Sequence, residues 1–228
     1  ISTADVYKTP QNVDENTPID ENDLQTYGKN RYLLEKWVRE NIENHLIVRL
    51  PGLFGKGIKK NFLFDMLTVI PSMLTISKYD ELCQKSDLVK TSYTQLNDKF
   101  YKLSLIDSEK LQTLKTFFAN NDFNALSFTD SRAAYQFYNL ADLWGDINTA
   151  LDSGLHTVNL TSEPVLAREI YTYLNGGKFV NEITDTPVYY DIKSVNAACF
   201  GGKNGYIKSK DEILAEIKKG FPSKFENM

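Results

Sequence analysis

Three stretches near the amino end constrain the fold more than anything else in the chain. Ile1 to Tyr7 is short and combines β-branched Ile, Thr and Val with an aromatic, which reads as the end of a buried strand. Residues 8 to 22 are polar, hold Pro10 and Pro18, and form a loop into an acidic first helical turn at Asn22-Asp23. From Leu24 to about Asn44 the pattern is helical, with Tyr27, Arg31, Leu34 and Val38 recurring on one face and Trp37 beside them. His45-Leu46-Ile47-Val48-Arg49-Leu50 is a second strand, closed by Pro51-Gly52. Strand, long helix and strand in this order make a βαβ crossover, which requires parallel strands in a sheet covered on both faces. An α/β fold is therefore expected.

Charge excludes several function classes. With 30 acidic against 26 basic side chains and a sequence pI near 5.3, the chain lacks the clustered positive field that nucleic acid or an anionic membrane needs. The Lys-rich patches, Lys208-Ser209-Lys210 and Lys218-Lys219, read as solvated helix faces. No run approaches the ~18 apolar residues of a membrane span. Cys83 and Cys199 lie far apart in apolar-leaning contexts and are expected as buried free thiols, which implies a cytoplasmic address. His45 and His156 have no recognisable ligand partners in sequence, so no metal site is expected. The sequon at Asn159-Leu160-Thr161 falls in a strand-like run and is taken as a chance match. No Met precedes Met66, and something is expected upstream of Ile1.

Within the crossover two groups recur that chemistry would want together. Ser2-Thr3 supplies hydroxyls at a strand end, and Tyr27 opens the helix with Arg31 one turn later. The i, i+4 spacing sets the guanidinium beside the phenol, ~5–6 Å between Cβ atoms. A fixed cation there favours phenolate and lowers a pKa that starts near ~10, as a tyrosine acid/base requires. The same pair also fits a core aromatic and a surface cation.

Ser2-Thr3-Ala4-Asp5-Val6-Tyr7, then Tyr27-Gly28-Lys29-Asn30-Arg31, then Val48-Arg49-Leu50-Pro51-Gly52-Leu53-Phe54-Gly55, resemble three successive blocks of the extended short-chain dehydrogenase/reductase family, which includes NAD-dependent epimerases and dehydratases. Phe137 to Asp142, and Thr157 to Leu160 with Glu163-Pro164-Val165, resemble later segments. The resemblance implies a Rossmann-like parallel sheet with a smaller, mostly helical substrate lobe. It implies NAD or NADP as cofactor, Tyr27 as acid/base and Thr3 as the hydroxyl on the reacting oxygen. Arg31 stands where the family usually has the ribose-binding lysine of its Tyr-x-x-x-Lys motif. Pro51, Gly52 and Leu53 would lie against the nicotinamide, Ser2, Asn61, Arg132 and Tyr135 would face substrate, and the helix carrying Tyr27 would pack in a homodimer.

Departures narrow the chemistry. Ala4 replaces the acid that family dehydratases use to eliminate water, so an oxidoreductase or epimerase is favoured. Tyr135 stands where an arginine often pairs with a nucleotide diphosphate, with Arg132 a turn or so upstream. A Gly-rich phosphate turn between a first strand and helix is not present, and Gly52-x-x-Gly55-x-Gly57 follows the wrong strand. The expected organisation is residues 1–75 as the carboxyl half of the dinucleotide-binding core, 76–134 as a helical insertion, 135–175 as returning core elements and 176–228 as a closing segment. Leu82, Leu88, Leu96, Tyr101, Leu111, Leu114 and Phe117 are the expected core of the insertion. Ser209 to Lys219 reads as an exposed, capped helix. A non-catalytic dinucleotide-binding or regulatory member of the same fold, or an inactive fragment, remains the alternative.

Overall fold

The computed structural model describes residues 1–220; the end of the expected closing segment lies outside the described residues. The chain opens with β1 (Ser2–Thr3), a 3-10 turn over Ala4–Val6, β2 (Gln11–Val13), α1 (Thr26–Asn41) and β3 (Ile47–Leu50). β4 (Gly52–Phe54) and α2 (Asn61–Thr68) follow, then β5 (Met73–Thr75), α3 (Ile76–Lys85), α4 (Asp87–Ser92), β6 (Tyr93–Gln95), β7 (Phe100–Leu103) and α5 (Ser108–Ala119). Next come β8 (Ala134–Tyr135), β9 (Phe137–Asn139), α6 (Leu143–Asp152), β10 (Thr157–Asn159), β11 (Val165–Leu166), α7 (Ala167–Asn175), β12 (Asp191–Ile192) and α8 (Lys210–Gly220). The fold is mixed α/β. Among the described residues two compact units form, one from residues 1–58 and 130–220, the other from residues 59–129.

The first unit contains the expected crossover. β1 and β10 both pair parallel with the central β3, in the register Ser2↔Arg49, Thr3↔Leu50, Val158↔Val48 and Asn159↔Arg49. All four residues of β3 are buried, as a central parallel strand covered on both faces requires. Val48 and Leu50 pack with Tyr138, Ala150, Val158, Leu160 and Ile207, while Ala4, Val6, Tyr7 and Ile192 form a second cluster. Parallel pairs β4–β9 and β2–β12 and the antiparallel pair β8–β11 extend this unit.

Several expectations are corrected here. The first strand stops at Thr3 because the Thr3 hydroxyl accepts from the Asp5 amide and caps the 3-10 turn. α1 begins at Thr26 rather than Leu24, since Asp20 holds the preceding residues in a turn through the Asn22 amide. The helix is also rotated from the expected face: Gly28 and Glu35 are its buried residues, whereas Leu34 and Trp37 are about half exposed. α8 is not wholly exposed, because Ile213, Leu214 and Ile217 are buried, though Ser209 and Glu212 do form its expected cap. Lys208 is not simply solvated, being paired with Asp142 and Glu216. Cys199 is exposed rather than buried. Asn159 of the sequon is fully buried, donating from Nδ2 to the Tyr7 hydroxyl and the Lys193 carbonyl, and is closed to modification in the folded chain.

The second unit packs α3, α4 and α5 with an antiparallel sheet in the order β5-β7-β6. The stretch expected to be helical, 78–122, thus contains a hairpin: Asn97 accepts from the amides of Lys99 and Phe100 and turns β6 into β7. Leu82 and Leu114 are fully buried as expected, joined by Val89, Tyr93 and Phe118; Leu96 is exposed. The division falls at residues 58/59 and 129/130 rather than 75 and 134, because α2 buries Phe62 and Leu63 and packs on the 3-10 turn Ala125–Phe128 of the same unit. Among the described residues no helix is long and apolar enough to cross a membrane.

Candidate active site

Parallel pairing brings the carboxyl ends of β1, β3 and β10 to one edge, where open α/β sheets bind their ligands. Thr3 ends β1 there, nearly buried, with its hydroxyl 3.2 Å from an Asp5 carboxylate oxygen. The amino half of α1 packs on the 3-10 turn that follows Thr3. Gly28 permits this approach: a Cβ at Gly28 would lie 2.1 Å from the Asp5 carbonyl oxygen, closer than any real contact. The residue beside it, Tyr27, is thereby fixed next to the turn that Thr3 caps.

Tyr27 is 55% exposed. The Arg31 guanidinium carbon sits 5.6 Å from the centre of the Tyr27 ring, a cation–π contact across one helical turn. Among the described residues neither side chain has a hydrogen-bond or ion-pair partner, so a phenol and a guanidinium fork face outward from a helix that is rigidly seated. Sequence spacing therefore describes their placement on α1 correctly.

Beneath them lies a buried polar network with no counterpart in the sequence reading. Glu35, on α1, takes the Arg49 side chain of β3 at 3.0 Å (Nε to Oε1) and 2.7 Å (Nη2 to Oε2). Arg39 adds a contact from the next helical turn, and Ser2 donates to the other carboxylate oxygen at 2.5 Å. Arg49 also donates 2.7 Å to the Tyr7 hydroxyl, which is bonded to Asn159 on β10. One network therefore ties β1, α1, β3 and β10 together. Burial alone would raise the Glu35 carboxyl, but the hydrogen bonds and charge of Arg49, with Ser2 and Arg39, hold it below its ordinary range. Burial raises the Tyr7 phenol despite the opposing Arg49 charge. A charge at the second-to-last position of an otherwise apolar strand was the available signal for this network.

The remaining expected site residues have definite places. Ser2 is committed to Glu35. The Gly52 amide donates to the Gln136 carbonyl as β4 pairs with β9, and Leu53 packs against the Val48 cluster. Pro51 joins β3 to β4 at the carboxyl edge. Arg132 is occupied: it forms a bidentate pair with Asp130 and reaches Glu182 and the Thr184 carbonyl, and it pulls the Asp130 carboxyl far below the usual carboxylate range. It clamps residues 182–184 rather than presenting an open guanidinium. Tyr135 stacks near Tyr190 and Phe137. Asn61 belongs to the second unit, where it opens α2 and accepts from the Leu63 amide.

Residues 1–78 match the family model described as RmlD substrate binding domain. No curated protein matches the sequence. Among solved structures, RMD from Pseudomonas aeruginosa complexed with NADPH aligns with 14% identity and a TM-score of 0.45, over 98% of this chain. The chain spans 65% of the length of that protein.

Proposed function

We propose that this chain contributes the catalytic side of an NAD(P)-dependent oxidoreductase or epimerase that acts on a sugar-like hydroxyl or carbonyl, free or nucleotide-linked. The observation that carries the reading is the Tyr27–Arg31 pair, unpartnered among the described residues, on a helix that Gly28 seats against the turn capped by Thr3. The match of residues 1–78 to a substrate-binding family model supports it.

A bound nicotinamide would accept or return the hydride of the substrate carbinol. Tyr27 takes the hydroxyl proton when the carbinol is oxidised and returns it on reduction. Thr3 turns its hydroxyl from Asp5 to the substrate oxygen, orienting it toward Tyr27. Arg31 offers fixed donors suited to ribose hydroxyls, and its guanidinium supplies field without passing a proton. With Ala4 beside Thr3 there is no carboxylic acid at the position dehydratases use, which favours hydride chemistry without elimination. The Glu35–Arg49 network holds the strands and α1 in the register on which this geometry rests. The exposed Leu33, Leu34 and Trp37 face of the same helix is offered for self-association.

The test is turnover of NADH or NADPH by the full-length protein with a panel of free and nucleotide-linked keto-sugars, for the natural sequence, Tyr27→Phe and Arg31→Lys. Tyr27→Phe should lower turnover by about 10²–10⁴ without loss of folding. Equal rates for Tyr27→Phe and the natural protein would refute the assignment, and absence of dinucleotide binding would favour a non-catalytic role.

A further inference from the structure

The opposite, amino edge of the parallel sheet holds the only two histidines of the 228-residue sequence, brought together from far apart in the chain. His45 immediately precedes β3 by one residue, Leu46, and His156 directly precedes β10. Because these strands are parallel neighbours with Thr157 opposite Ile47, the two residues meet: the Ile47 amide donates to the His156 carbonyl at 2.9 Å. The imidazole centres are 5.2 Å apart with planes tilted by 48°.

Hydrogen bonding sets the tautomer of each ring. His45 Nδ1 is 2.6 Å from the Ile42 carbonyl oxygen and His156 Nδ1 is 3.2 Å from the His45 carbonyl oxygen. A carbonyl only accepts, so each Nδ1 carries the proton and each neutral ring keeps its lone pair on Nε2. Metal-ligating histidines are held in this way, with the second nitrogen donating to a backbone carbonyl. The ring-centre separation agrees with such a site: a tetrahedral ion at ~2.0–2.1 Å from two Nε2 atoms that both face it lies about 3.2 Å from each ring centre, which places the centres ~5.2 Å apart.

We propose that His45 and His156 form a two-histidine site for a borderline divalent cation, Zn²⁺, Ni²⁺ or Cu²⁺, completed by water and joining the amino ends of β3 and β10. Among the described residues no third His, Cys, Asp or Glu completes a larger cluster, so the site is an open one with exchangeable positions. Nitrogen donors alone favour these ions over Mg²⁺ and Ca²⁺, which take oxygen ligands. The site lies at the far end of the strands from Thr3 and is independent of the proposed hydride chemistry.

The experiment uses the tag-free full chain with Cys199→Ser, which removes the exposed competing thiol. Calorimetric titration with Ni²⁺ and Cu²⁺ should show one ion per chain, with Cu²⁺ the tighter. His45→Ala and His156→Ala should each weaken binding at least tenfold while the circular dichroism spectrum stays unchanged. In parallel, ¹⁵N-edited spectra of the two imidazoles should show Nε2 unprotonated without metal and both rings perturbed together on titration. Binding that survives either substitution, or rings protonated on Nε2, would overturn the proposal; the spectra test it even if a variant fails to fold.

Discussion

The Glu35–Arg49 pair gives the sharpest test of how the first unit is held together. Arg49 is 2% exposed, and Glu35 supplies the only carboxylate bonded to it among the described residues. Replacing Glu35 with Gln keeps the shape and one accepting oxygen but leaves a guanidinium cation buried without its counter-charge, held only by neutral acceptors such as the amide oxygen and the Tyr7 hydroxyl. Removing one partner of a buried pair costs about 3–5 kcal/mol. For a chain of this length that corresponds to roughly 6–20 °C in Tm. Both tryptophans, Trp37 and Trp144, lie in the first unit, so urea unfolding followed by tryptophan fluorescence reports on that unit. The double replacement Glu35→Leu with Arg49→Met removes both charges and should recover more than half of the loss. Because the Glu35 carboxyl is depressed in the folded state, its contribution is present above the ordinary carboxylate pKa of ~4.3 and is lost as the pH falls through the lower folded value. The difference between Glu35→Gln and the natural chain should therefore shrink in acid. A cost below about 1 kcal/mol at pH 7, or a double variant as unstable as the single, would refute the reasoning.

Gly28→Ala should destabilise by about 1–3 kcal/mol and lower any NAD(P)H turnover, since the added methyl meets backbone that cannot swing away; Gly145→Ala, in α6 with open space around it, should instead stabilise by about 0.5–1 kcal/mol in the same melts. Burial raises the Asp65 carboxyl to about 6, so stability falls as the pH rises from its unfolded value through 6. Asp65→Asn should consequently gain about 1 kcal/mol at pH 7 and nothing at pH 4 in urea titrations, a figure reduced for its partial exposure. Trp37→Glu should shift sedimentation toward a smaller species if α1 pairs two copies, and an unchanged profile would place self-association elsewhere.

The crossover was legible because β-branched runs and a helical period of apolar residues are local signals, and β1, α1 and β3 each carry one. The orientation of α1 was not, because its buried face is made of Gly28 and Glu35, a residue with no side chain and a charge, while Leu34 and Trp37 point outward. Only the partner at Arg49 makes Glu35 an interior residue, and a partner on another strand leaves no trace in periodicity. The contact between Tyr27 and Arg31 is legible because one helical turn joins them. Arg132 stands in sequence as a candidate substrate ligand, yet Asp130, two residues away, holds its guanidinium in a bidentate pair. The hairpin β6–β7 is not legible from pattern because its strands are short and lie between helices, although Asn97-Asp98 marks its turn. His45 and His156 meet only through strand pairing, which spacing along the chain cannot reveal.

The central strand acquires its two neighbours at very different times. β1 lies before it in sequence and is available as soon as α1 has formed, but β10 is made roughly a hundred residues later, after the whole of the second unit. At ~5–20 residues per second, synthesis separates β3 from β10 by about 5–20 s, an interval in which Asn159 is not yet present to complete the network around Arg49. During that interval the second unit, whose contacts are local, can fold. The first unit is completed later still, when β12 reaches β2, and until β10 arrives the bare edge of β3 is open to pairing with other strands.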